Sequence, residues 1–228
     1  MQKVNLSIFV FFCSYQLLCA TGEKVPYALL KRFLPDNPII LEAGAQFGED
    51  TAWMSEFWPA GQIHAFEPFP KAYSQLKLLP NTKKNIFVYN LALSDKKGIF
   101  PFYVADGASS LLKPTPNINA IYFHADLDHP LMAPTTTIDQ WAQENNITHI
   151  DFMWLDMEGN EIHALSGALN ILKSVKVIYS EVNLLEFWHD CAQYHTLKAW
   201  LEKHNFMEVW SDIVPNWHGN VLFINKNL

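Results

Sequence analysis

Cysteine is scarce in this chain: of 228 residues only Cys13, Cys19 and Cys191 carry a thiol. Two of the three lie in one apolar stretch near the N-terminus, so the remainder has a single cysteine and no disulfide framework. No cysteine and histidine spacing of the kind that holds zinc is present, and no metal site is assigned. Basic charge is scarce as well. With 16 Lys+Arg against 23 Asp+Glu the formal charge is -7, which lacks the footprint that neutralises phosphates, so nucleic acid is not expected as a partner. The chain has no internal repeat, no low-complexity tract and no motif for a serine or cysteine nucleophile. What it has in quantity is apolar side chain, 50% hydrophobic and 14% aromatic, enough for one domain with a sizeable core.

The N-terminus differs from the rest. After Met1, Gln2 and Lys3 comes VNLSIFVFFCSYQLLCA, uncharged through Ala20 and followed by polar Thr21 to Lys24. One basic residue, an apolar centre and a small residue at Ala20 have the layout of a secretory signal peptide. Leu18 is a poor residue three before such a cut, and the stretch is short for a spanning helix, which needs about 20 apolar residues. Residues 1–20 are therefore read as a signal-like or anchor segment, 21–37 as an N-terminal extension and 38–228 as the folded domain.

From Pro38 onward strand-like and helix-like runs alternate. Ile39 to Leu41, Ile63 to Phe66, Ile86 to Leu93, Ile150 to Leu155 and Val175 to Val182 read as strands. Gly48 to Trp58, Lys71 to Leu79, Ile138 to Glu144, Glu161 to Leu172 and Thr196 to Lys203 read as helices. Ile99 to Val104 reads as a hairpin arm, Asp106 to Pro134 as a long Pro- and Asn-rich loop, and Phe206 to Trp210 with Asn220 to Ile224 as a closing hairpin. Such alternation predicts an α/β fold, a mostly parallel sheet with helices on both faces.

In sheets of that kind ligands bind outside the carboxyl ends of the strands. The first strand ends in LEAGAQFGED, where Gly44 and Gly48 bracket a turn into a helix. Glycine there lets backbone approach a ligand closely, and the helix start presents free N–H groups. The pattern is Gly-x-x-x-Gly and lacks the middle glycine of the dinucleotide fingerprint, which disfavours close pyrophosphate binding. The second strand ends at Glu67, 25 residues after Glu42, a distance at which an acid accepts hydrogen bonds from both ribose hydroxyls. A lone acid after a strand is most simply a solvated loop residue. Combined with the two glycines, Glu67 marks an adenosine-like ligand.

The segments IILEAGAQFGEDT, IHAFEPFPKAYSQL, NIFVYNLALSDKKG, ASSL, TTTIDQW and IDFMWLDMEGNEIHALSGA, in that order, resemble the FkbM family of S-adenosylmethionine-dependent methyltransferases from about Pro38 to Asn183. The resemblance implies a Rossmann-like class I methyltransferase sheet of seven strands, the last antiparallel, S-adenosyl-L-methionine as cofactor, and O-methylation of a hydroxyl on a glycan, lipid-linked or secondary-metabolite substrate. It further implies that Glu42, Gly44, Ala45, Gln46 and Gly48 run along the methionine part of the cofactor. Glu67 and Pro68 would hold its ribose, and Leu91, Ala92 and Asp95 would border its adenine. Gln46 stands where related sequences commonly have Asn, which keeps an amide. Methyl transfer demands positioning, water exclusion and a deprotonated nucleophile, with no covalent enzyme intermediate, consistent with the missing nucleophile motif.

The block WLDMEGNE places Asp156, Glu158 and Glu161 directly after an apolar strand. Continued as a strand, Asp156 and Glu158 lean to one side at the site mouth, and both are read as catalytic. Two carboxylates so close repel unless one keeps a proton or a cation lies between them. The sulfonium and amino group of the cofactor, or a divalent metal, would be that cation. Glu161 has a structural reason to open the next helix, and His163 reads as a packed or solvated helix residue. His124 and His129 in the long loop, and the aromatics Phe187, Trp188, Tyr194 and Trp200, are candidate substrate contacts, with plain exposure or packing the simpler role for each. A nicotinamide-dependent oxidoreductase and a non-catalytic binding protein on the same fold remain open as alternatives. Because the methyl donor is made in the cytosol, and Lys24, Lys31 and Arg32 follow the apolar segment while only Lys3 precedes it, the expectation is a membrane-associated chain with a cytosolic domain. Export after cleavage near Ala20 is the alternative.

Overall fold

Strand segments in which neighbouring side chains are all apolar can be buried on both faces, and this chain uses them at the centre of its sheet. The computed structural model describes residues 27–105, 107–118 and 126–227. Along them run α1 (Tyr27–Leu30), β1 (Ile39–Ala43), α2 (Glu49–Phe57), β2 (Gln62–Phe66), α3 (Pro70–Leu76), β3 (Ile86–Tyr89), β4 (Ala92–Leu93), β5 (Gly98–Val104) and β6 (Asp126–Thr136). There follow α4 (Ile138–Glu144), β7 (Phe152–Leu155), α5 (Glu161–Ser166), β8 (Val177–Asn183), α6 (Tyr194–Lys203), β9 (Phe206–Ser211) and β10 (His218–Asn225). The main sheet has seven strands in the order β3-β2-β1-β7-β8-β10-β9. Its ladders are parallel from β3 to β8, and β10 runs antiparallel to both β8 and β9. The mostly parallel sheet is the one the strand and helix alternation predicts, and its Rossmann-like form with one reversed strand is what the resemblance implies.

Burial alternates along each central strand. Ile40, Phe152 and Trp154 face a layer containing Leu30 of α1 and Met54 of α2. Leu41, Met153 and Leu155 face the opposite layer, with Trp141 of α4, Leu165 of α5 and Leu201 of α6. Each fully buried side chain of this size contributes about 1.5–3 kcal/mol, so the two layers fix the register of β1 against β7. Thr137 caps α4 by accepting from the Gln140 amide at 3.1 Å. Asp139 accepts from the amides of Asn170 and Ile171 at 3.0 and 2.9 Å, which gives the TTTIDQW motif its role of locking α4 to the segment after α5.

Several expectations are corrected. The predicted loop Asp106 to Pro134 contains most of an 11-residue strand, β6, which pairs antiparallel with β5 from Gly98↔Thr135 onward. Along Asp126 to Pro134 the described residues supply ladder partners on one edge of β6 only, and a strand with an open edge tolerates Pro130 and Pro134. Proline count alone thus misread it. The strand Ile86 to Leu93 breaks after Tyr89, where Asn90 turns its amide back to the Glu67 and Pro68 carbonyls at 2.8 and 3.1 Å. The helix Glu161 to Leu172 ends at Ser166, with Gly167 as its C-cap, packed against the Ser94 carbonyl where a side chain would not fit. The localisation is overturned: among the described residues no helix is long and apolar enough to cross a membrane. The segment Val4 to Ala20 on which that expectation rested lies outside the described residues, and membrane association is withdrawn.

Candidate active site

The chain order reverses between β1 and β7, since β2 and β3 continue to one side of this pair and β8 to the other. Two strand-to-helix turns diverge there and leave a cleft. At the carboxyl end of β1, Gly44 has φ +88, and a Cβ on it would lie 1.8 Å from the Asp156 carbonyl oxygen. The backbones of the two turns touch at this point, which only glycine permits. The Gly44 and Ala45 amides both donate to the Phe66 carbonyl at 3.0 Å, binding the first turn to the second strand end.

The cleft, of about 580 Å³, is lined by Gly44, Ala45, Gln46, Glu67, Pro68, Leu91 and Ala92 among the residues expected to hold a cofactor, and by both expected catalytic acids, Asp156 and Glu158. That volume lies in the range of small-molecule sites. Three expected contacts lie outside its lining. Glu42 is buried behind it and accepts from the Thr51 hydroxyl at 2.5 Å. Gly48 precedes α2 against Leu76 and Leu79. Asp95 is exposed, with the Ser94 hydroxyl at 3.2 Å.

Glu67 is held on both oxygens: the Gln46 amide donates to one at 2.8 Å and the Phe69 amide to the other at 2.7 Å. Burial nevertheless pushes its carboxyl up to about 7, and Asp156 adds to the rise. Burial likewise pushes Glu42 up to about 8 against the lowering by Thr51, with Asp50, Asp156 and Glu67 reinforcing the rise. The single basic residue among the described lining is Lys71. The cleft is therefore a pocket of under-compensated carboxylates, suited to a ligand that brings positive charge.

The acid turn is built differently from the extended strand expected. β7 ends at Leu155, and Glu158 and Gly159 both take positive φ, 53° and 92°. The turn itself brings the acids together. Oxygens of Asp156, Glu158 and Glu181 lie within 4.8 Å of one another. Burial raises Glu158 well above the usual carboxylate range, helped by Glu181, Asp156 and Glu161, while Asn183 hydrogen bonds it and lowers it. Three carboxylates have the oxygen chemistry for a divalent cation, yet Asn183 bonds Glu158, His218 bonds Glu181 and Glu181 bonds Asp156. Nothing beyond proximity points to a metal. Glu161 accepts from the Met157 and Gly159 amides at 3.0 and 3.3 Å, the helix-opening role expected for it.

Sequence reading missed Glu181, Asn183 and His218, which come from β8 and β10, and the positioning side chains Asn90 and Asn160. Asn160 donates to the Leu93 carbonyl at 2.9 Å, tying the acid turn to β4. A mid-strand acid in the apolar run VIYSEVN was the available signal for Glu181. Ser110 of the ASSL motif donates to the Glu158 carbonyl at 3.1 Å, fixing the residues after β5 to the acid turn. The aromatic candidates pack internally. Trp188 and Phe187 are buried, the Tyr194 hydroxyl donates to Glu208 at 2.8 Å, and Trp200 stacks on His204. His129 is exposed on β6 and His163 half-buried on α5, while His124 lies outside the described residues.

Comparison with known proteins identifies the family. Residues 42–207 fit the model of the methyltransferase FkbM domain, well over half of the chain. The chain belongs to the FkbM methyltransferase family. It is thus an S-adenosylmethionine-dependent methyltransferase, and the nicotinamide alternative gives way. Among relatives of this FkbM protein, 2-O-methyltransferase NoeI of Sinorhizobium fredii (strain NBRC 101917 / NGR234) is 25% identical over 214 residues, covering 90% of this chain and 86% of NoeI. Methyltransferase sdnD of Sordaria araneosa is 25% identical over 160 residues, 59% of this chain and 61% of that one. The crystal structure of methyltransferase FkbM from Methylobacillus flagellatus KT superposes with a TM-score of 0.55 at 15% identity, covering 82% of this chain. This chain spans 44% of that protein's length.

Proposed function

We propose that this FkbM protein transfers a methyl group from S-adenosylmethionine to a hydroxyl of a glycan-like or other small hydroxylated acceptor. The carrying observation is the placement of Asp156 and Glu158 in the wall of the cleft that also contains Gly44, Gln46 and Glu67. Bound there, the cofactor supplies an electrophilic methyl carbon on a positively charged sulfur. Gln46 and Gly44 would lie along its methionine part, Glu67 would accept from its ribose hydroxyls, and Leu91 and Ala92 would border its adenine. The acidic surroundings fit the group, since its sulfonium and ammonium would offset the burial, and the smaller repulsion from neighbouring acids, that raise Glu42 and Glu67. Asp156 is read as the base that takes the acceptor proton, and Glu158, kept protonated by burial and its acidic neighbours, as a donor that orients the acceptor oxygen. Ser110 and the residues after β5 line the cleft and would shield the bound cofactor from water. The relative named as a 2-O-methyltransferase, aligned along nearly the whole chain, supports oxygen as the methylated atom.

The test is transfer of labelled methyl from S-adenosylmethionine to a panel of monosaccharides, oligosaccharides and glycolipids, beside calorimetric titration with S-adenosylmethionine and with NAD. Methylation of a panel sugar with S-adenosylmethionine binding is expected, and Asp156→Asn is expected to lower the rate by about 10²-fold or more, the span of a lost general base. NAD binding alone, or transfer at the parental rate in Asp156→Asn, overturns the reading.

A further inference from the structure

Methylating a hydroxyl leaves a proton to be disposed of. The carbon–oxygen bond forms with an oxygen electron pair, the methyl–sulfur bond breaks with its pair left on sulfur, and the hydroxyl proton must leave the cleft. An acid beside other acids is a poor final store for it. The molecule holds a path outward. β10 runs antiparallel, so its first residue lies at the carboxyl edge of the parallel strands, with His218 opposite Asn183 and Asn220 opposite Glu181 of β8. The His218 Nδ1 lies 2.9 Å from a Glu181 oxygen, and Glu181 is hydrogen bonded to Asp156. The Glu181 side chain is 17% exposed and the His218 imidazole 41%, so the line from Glu181 ends in solvent. The ring is held from behind: Trp217 meets it edge-on at 5.7 Å, and the Trp217 carbonyl accepts from the Leu184 amide at 2.8 Å.

We propose that Glu181 and His218 form a proton exit for the transfer reaction. The inference rests on the reading of Asp156 as the base. Asp156 takes the acceptor proton at a carboxylate oxygen, Glu181 receives it across their shared hydrogen bond, and the imidazole accepts it at Nδ1 while releasing a proton from Nε2 to water. Exchange of the ring protons with solvent, one lost from Nδ1 and one regained at Nε2, then restores the starting tautomer. One proton enters from the acceptor and one reaches solvent in each turnover. Four other acids face this pair: Glu158 and Glu161, with Glu42 and Glu67 acting on Asp156 from the β1 and β2 ends. Asn183, Thr51 and backbone amides engage them, while Glu181 is the one hydrogen bonded to His218. Asp156 is the catalytic residue in this scheme. Glu181 and His218 act through it.

Two measurements on the full chain test the exit. In the methyl-transfer assay with the panel sugar that scores highest, Glu181→Gln and His218→Ala are each expected to lower kcat by about tenfold with KM little changed, and imidazole added to the buffer restores part of the rate of His218→Ala only. If Asp156→Asn lowers the rate while these two variants turn over at the parental rate, the exit is wrong and the base assignment survives. If Asp156→Asn is itself at the parental rate, the underlying reading fails instead. The second measurement needs no acceptor: the His218 imidazole is titrated by NMR in the parent and in Asp156→Asn. Loss of the Asp156 charge is expected to lower the titration midpoint, and an unmoved midpoint overturns the linkage through Glu181.

Discussion

Glu67 places a buried carboxylate at a strand end with a backbone amide on each oxygen. The carboxylate also lines the cleft, where a carboxylate can accept from two adjacent hydroxyls. Hydrogen bonds to charged groups are worth about 1.5–3 kcal/mol, so Glu67→Ala is expected to weaken S-adenosylmethionine binding by about tenfold or more. Calorimetric titration checks this, and unchanged affinity would remove the ribose assignment. The residue was legible in the sequence because chain distance to the first glycine turn is fixed by one strand, one helix and one strand. Glu181 was not legible, because its proximity to Asp156 arises from strand order, and the turn that aims Asp156 and Glu158 at it depends on positive φ at two consecutive residues.

The elements that make the cleft are the turns after β1 and β7, and their contact is backbone on backbone. A methyl group on Gly44 would meet the Asp156 carbonyl, whereas one on Gly107, at a similar φ of +94, would meet only the Gln46 side-chain nitrogen at 3.3 Å. Both substitutions carry the conformational cost of about 1–2 kcal/mol for a non-glycine residue in that region. Gly44→Ala must in addition force β1 and β7 apart. It is expected to lower the urea midpoint well beyond the shift in Gly107→Ala, and equal shifts in the two variants would show that the turns have room to separate. β6 was the element least legible in sequence. Its prolines read as loop, while its pairing with β5 depends on an open edge that only the assembled sheet defines.

At the scale of the whole molecule, buried titratable groups make stability depend on pH in opposing senses. Burial lowers His64 to about 4, below its ordinary 6.5, so the unfolded chain binds the extra proton between these values and stability is lost as pH falls from 6.5 to 4. Glu42, Glu67 and Glu161 are raised to about 8, 7 and 7 from 4.5. The folded chain binds the extra protons there, so their contribution is fully present below 4.5 and is lost as pH rises through 7 and 8. Above pH 6.5 only the carboxyls act. The Tm of the protein without cofactor is expected to fall between pH 6.5 and 8, by a stability change of about 2–3 kcal/mol. S-adenosylmethionine should oppose that fall by bringing its positive charge among the acids. Calorimetric melts across this interval check the slope, and a Tm that holds or rises would show that these carboxyls are already ionised in the folded chain. Sequence alone determined the α/β alternation and the acids and glycines at two strand ends, because each depends on residues near one another along the chain. Tertiary structure alone decided which ends meet. The strand order sets β1 beside β7 and reverses β10, and only that arrangement brings Glu181 and His218 up to Asp156.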